Sequence, residues 1–107
     1  MTEQKLFIII VKYLLPLEKV DEHLLAHKDY LQKYYAAGVF LASGPQVPRF
    51  GGIILAKSNS RKTLYAILAE DPFQQQLCAE YQVHEFGVNN ACSSFESFLQ
   101  ESGLKHA

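Results

Sequence analysis

A charge excess of one sign is missing from this chain. Ten Lys and Arg residues stand against eleven Asp and Glu, for a formal net charge of −1. A protein that neutralises nucleic-acid phosphates carries a basic excess or a basic stripe. The densest basic pair here is Arg61-Lys62, so nucleic acid is not an expected partner. A long apolar run is also missing. A membrane span needs about 20 continuous apolar residues, and the longest run is Leu6 to Val11. Glu3 and Gln4 precede that run, no small-residue cleavage site follows it, and Lys12 closes it. These features argue against a signal peptide and a membrane partner, and they make the cytoplasm the expected location.

Cysteine is scarce too. Cys78 and Cys92 are too far apart for a CxxC motif and too few for a disulfide framework. Sequence repeats, low-complexity segments and linkers are lacking. What remains is ordinary globular material. A 49% hydrophobic fraction over 107 residues suits one domain that buries roughly two-thirds of its unfolded surface.

Leu17 to Gly38 organises the pattern. Leu17, Val20, Leu24, Leu31 and Tyr34 recur at three- and four-residue steps, the spacing of one helix face. That spacing predicts a single helix ending at Gly38, where a left-handed residue would close it. His27 falls on the same face. Before this helix, Leu6 to Tyr13 reads as a strand apolar on both sides. After it, Val39 to Ala42 is a second strand that ends in a Ser43-Gly44-Pro45 turn. Phe50 to Ala56 is a third strand, and its Gly51-Gly52 pair marks a bulge or a close backbone approach. Ser58-Asn59-Ser60 starts a helix over Arg61 to Ala69, which Glu70-Asp71-Pro72 stops. A short turn of helix follows over Pro72 to Leu77. Glu80 to Phe86 is the last strand, and Phe95, Phe98 and Leu99 indicate a short amphipathic C-terminal helix.

Strand, helix, strand, strand, helix, strand is the order of a ferredoxin-like α+β sandwich with a four-stranded antiparallel sheet. Helices cover one face of its first strand. The opposite face, with Leu6, Ile8 and Ile10, then calls for a second copy of the chain, so a homodimer packed sheet to sheet is expected.

Two residues could carry acid–base chemistry. A carboxylate that accepts from one ring nitrogen of histidine fixes the tautomer and raises the basicity of the other nitrogen. Asp71, at the end of the second helix, is the partner expected for His27. An Asp before Pro also stabilises turns on its own, and a lone histidine on an apolar face is often a core residue. His23 and His27 have metal-compatible spacing, with Asp71 or His84 needed as a third ligand. However, HExxH, GxSxG, P-loop and GxGxxG motifs are all missing, and neither a metal nor an organic cofactor is expected. Small residues in Ser43-Gly44-Pro45 could offer free amides to an anion.

Taken together, these motifs resemble the YciI-like (YCII-related) family of the dimeric α+β barrel superfamily. A helical histidine, His27, lies eleven residues before the helix-ending Gly38. A strand runs into a Gly-Pro turn in Leu41-Ala42-Ser43-Gly44-Pro45. A helix ends in Asp71-Pro72-Phe73, followed by a strand closing at Phe86. The resemblance covers about residues 5–87 and leaves 88–107 as an extension. It implies a ferredoxin-like protomer that dimerises through its sheet, with a pocket containing a His27–Asp71 pair. It further implies cofactor-independent chemistry of the kind that removes chloride from a chlorinated hydroxyhydroquinone.

Family members often carry an arginine three residues before the histidine; here that position is Leu24. Arg49 is the candidate to replace its charge. The expected site is therefore His27 and Asp71 for catalysis, with Ser43, Gly44, Pro45 and Arg49 against a small-molecule substrate. The leading expectation is an elimination or isomerisation of a small polar or phenolic molecule. The alternative is a non-catalytic homodimeric module that binds a ligand or partner in the same pocket.

Overall fold

A computed structural model describes residues 4–104. Its elements are β1 (Lys5–Tyr13), α1 (Leu17–Asp21), α2 (Leu24–Ala36), β2 (Phe40–Pro45), β3 (Gly51–Ser58), α3 (Arg61–Leu68), α4 (Pro72–Gln75), β4 (Ala79–Phe86) and α5 (Ser93–Glu101). The four strands form one sheet in the order β2-β3-β1-β4, and every pairing is antiparallel. This is the ferredoxin-like α+β arrangement the sequence predicts. No helix among the described residues is long and apolar enough to cross a membrane.

The alternation in β1 sets the layers. Phe7, Ile9 and Val11 are buried at 0, 0 and 3% exposure. They meet Val20, Tyr30, Tyr34, Leu64, Leu68 and Phe73 beneath the helices. Each large apolar side chain buried there contributes about 1.5–3 kcal/mol. On the far face of the sheet, Leu6 packs with Val88, Leu99 and Leu104 in a separate cluster. The residues after Gly87 therefore cover one end of that face. Ile8 and Ile10 in its middle stay half-buried, and Ile53 is exposed.

Local signals explain the helix ends. The Ser60 side chain accepts from the Thr63 amide at 3.1 Å and starts α3. Gly38, at φ +76°, closes α2. Its amide bonds the Tyr35 carbonyl and the Val39 amide bonds the Tyr34 carbonyl, both at 3.0 Å, a paired C-terminal cap.

Two local expectations are corrected. The single helix over 17–38 is broken: His23 has φ −111° and ψ 6°, outside helical geometry, and separates α1 from α2. The break re-aims the first turn, so that Val20 is fully buried while Leu17 is 43% exposed. No proline or glycine lies at the break. Ser43-Gly44-Pro45 is not a turn but the end of β2, paired with Ile54, Ile53 and Gly52. The two backbones come close at Gly52, where a Cβ would lie 3.0 Å from the Gly44 carbonyl oxygen. At Gly51 a Cβ would lie 1.8 Å from the Val11 carbonyl oxygen. The glycine pair thus marks the close backbone approach that the sequence suggests.

Candidate active site

Helix α2 lies over the sheet with His27 in its second turn, and the His27 amide closes a helical bond to the His23 carbonyl. Asp71 precedes α4. With proline following it, Asp71 is extended (φ −66°, ψ 125°), and its side chain accepts from the Phe73 amide at 3.0 Å. The same oxygen, Oδ1, lies 2.8 Å from His27 Nδ1. Both sequence-level readings of Asp71 therefore hold at once: it caps a short helix and it partners the histidine.

The pair is enclosed. Asp71 has no exposure and the His27 side chain is 12% exposed. The His27 ring stacks on Phe73, with centroids 3.9 Å apart and planes 7° from parallel. On the other carboxylate oxygen, Oδ2, the Tyr81 hydroxyl donates a hydrogen bond. Burial, then the Asp71 charge, push the Tyr81 phenol far above its ordinary value, so it stays protonated. Burial followed by Asp71 does the same to Tyr30, whose hydroxyl donates to the Ile67 carbonyl at 2.8 Å.

Nδ1 is taken up by the Asp71 carboxylate, which leaves Nε2 as the second ring nitrogen. Among the described residues no side chain bonds it, and no buried side-chain nitrogen or oxygen lacks a partner. His27 lines a cavity of about 350 Å³, near the lower end of small-molecule sites. Val11, Leu24, Leu31, Ile54 and Phe73 give it apolar walls, and Lys28, Ser43 and Arg49 add polar groups.

Ser43, Gly44, Pro45 and Arg49 all line this cavity, so the structure gathers the residues singled out from sequence. They do not form a free loop, however. Ser43 and Gly44 are strand residues, and the Ser43 hydroxyl is engaged by the Tyr35 hydroxyl. Arg49 is paired with Asp21 at 2.7 Å and lies over the Tyr13 ring at 5.4 Å. The bond to Asp21, ahead of one to Tyr13, raises its pKa further.

The His23–His27 metal set is not assembled. His84 pairs with Ile8 on the far face of the sheet, and no group of three metal-ligating side chains occurs among the described residues. Tyr81 is the residue the sequence reading misses. Its signal was available: it alternates with Val83 on the helix-facing side of β4, and a buried carboxylate needs donors on both oxygens.

Comparison with known proteins follows the same lines. One solved structure that superposes on this chain is the 5-chloro-2-hydroxyhydroquinone dehydrochlorinase (TftG) from Burkholderia phenoliruptrix AC1100, in complex with 2,5-dihydroxybenzoquinone. The TM-score is 0.68 at 20% sequence identity, over 78% of this chain and 95% of that one. At that identity the likeness is one of fold. Among curated proteins, none matches. The YCII-related domain model matches residues 6–87, from β1 to the end of β4. A match over most of its length, on the elements that build the sheet and hold His27 and Asp71, makes this chain a member of the YCII-related family.

Proposed function

We propose that this protein is a small-molecule enzyme that works by proton transfer without metal or organic cofactor. His27 acts as general base or acid, and Asp71 orients it. One observation carries this reading: a histidine bonded through Nδ1 to a fully buried carboxylate, on a side chain that lines a largely apolar cavity. Such a partner holds the Nδ1–H tautomer, leaving the Nε2 lone pair to take a proton.

The substrate is a small polar or phenolic ring. Its flat apolar body suits Leu24, Leu31 and Phe73, and an oxygen that gains negative charge suits the side of the cavity lined by the cationic Lys28 and Arg49. The reaction is an elimination or isomerisation. In an elimination, His27 takes a proton from the substrate, the electron pair moves into the ring system, and the leaving group departs as an anion. The dehydrochlorinase activity named for the structural neighbour supports this class.

Turnover on hydroxyaromatic and lactone substrates would test it, with wild type, His27→Ala and Asp71→Asn assayed side by side. Losing a positioned acid–base group is expected to slow turnover by about 10²–10⁴-fold. Equal rates in all three proteins would sink the assigned roles.

We further propose that the protein acts in the cytoplasm as a homodimer packed sheet to sheet. Half-buried Ile8, Ile10 and Leu55 with exposed Ile53 support this, because a second copy would remove them from water. Sedimentation is expected to give twice the monomer mass, and Ile53→Lys is expected to shift the protein towards monomer. A wild type that sediments only as monomer would rule the dimer out.

A further inference from the structure

The Asp71 carboxylate accepts three hydrogen bonds. Two meet on Oδ1, from His27 Nδ1 and from the Phe73 amide. The third comes from β4, where the Tyr81 hydroxyl donates to Oδ2. Without it, one oxygen of a fully buried anion would have no donor and the carboxylate plane would be held from one side only. Tyr30 cannot substitute, because its hydroxyl is committed to the Ile67 carbonyl at 2.8 Å.

We propose that Tyr81 is a positioning residue: by donating to Asp71 Oδ2 it fixes the carboxylate against His27 and sets how tightly the pair holds a proton. This rests on the His27–Asp71 reading above. Tyr81 does not line the cavity, so its action passes through Asp71. The sign follows from electrostatics. A donor to the anion stabilises the ionised carboxylate and lowers the affinity of the pair for a proton, so removing the donor raises that affinity.

Other ionisable groups surround the site. Tyr30 and Lys28 come from α2, Tyr13 from β1, Arg49 from the segment between β2 and β3, and Cys78 from the turn before β4. Glu22 and Glu70 lie further out, beside Cys78 and Tyr34. None of them changes in the variants below, so a shift reports on Tyr81.

The test is an NMR titration of the His27 ring in the full chain, for wild type, Tyr81→Phe and protein carrying 3-fluorotyrosine at position 81. In Tyr81→Phe the titration is expected to move up by about one pH unit, a tenfold gain in proton affinity. Fluorine makes the phenol a stronger donor, so 3-fluorotyrosine is expected to move it down. If Tyr81→Phe does not fold, the fluorinated protein, which keeps ring and hydroxyl, decides alone. An unmoved His27 titration in the folded variants overturns the proposal. Since no turnover is read, failure of the enzymatic reading and failure of this one are distinguishable.

Discussion

Glu70 and Asp71 are neighbours in the chain, and each accepts a hydrogen bond from a tyrosine, but they belong to different regions of the molecule. Glu70 faces outward. It takes the Tyr34 hydroxyl at 2.6 Å and the Lys33 ammonium at 2.9 Å, and its side chain is 44% exposed. Asp71 turns inward to His27, Tyr81 and the Phe73 amide, and has no exposure. Water solvates the first carboxylate whenever its partners move away. The second depends wholly on protein donors. Similar chemistry thus contributes a surface clamp between α2 and the end of α3 in one case and a committed polar centre in the other.

Replacing each carboxylate in turn is the sharpest way to break that comparison. Asp71→Ala leaves the Tyr81 hydroxyl, His27 Nδ1 and the Phe73 amide without their acceptor. It is expected to cost about 3–5 kcal/mol in urea denaturation, a large part of the roughly 5–15 kcal/mol typical of a native protein. An Asp71→Ala protein as stable as wild type would mean the buried cluster carries no more weight than the surface clamp.

Glu70→Gln is expected to change stability far less, and in a way that added salt removes, because the clamp is open to solvent. It should also alter the acid limb. The Tyr34 hydroxyl, and then Lys33, hold Glu70 below its ordinary value of 4.5. Its folded-state pKa is depressed, so its contribution is present above the unfolded value and is lost as pH falls through the folded one. The stability gap between wild type and Glu70→Gln should therefore shrink as pH drops below 4.5. A gap that widens on acidification would contradict the assigned ion pair.

Much of this arrangement can be read from residues acting over a few positions. The alternation of Phe7, Ile9 and Val11 marks β1, and Ser60 marks the start of α3. Asp71-Pro72 marks both the end of one helix and the cap of the next. Gly38 closes α2 because its left-handed φ suits a residue without Cβ. The histidine–carboxylate pair is legible for the same reason: the strand order places two recognisable helix segments on one face of a sheet. The break at His23 carries no such mark. It accompanies the full burial of Val20 in the core, a matter of contacts with other elements.

The sequence by itself determined the order of strands and helices apart from the break at His23, the ferredoxin-like class, the family and the His27–Asp71 pair of the candidate site. Periodicity, capping and proline restriction are short-range, and each leaves a residue-level trace. Only the tertiary structure decided that Ser43-Gly44-Pro45 is strand, since that depends on pairing with Ile54, Ile53 and Gly52 of the neighbouring strand. It alone showed the extension covering Leu6. It alone brought the Tyr81 hydroxyl to Asp71 Oδ2, because the demand of a buried anion for donors is met by whatever packing places within reach, wherever that lies in the chain.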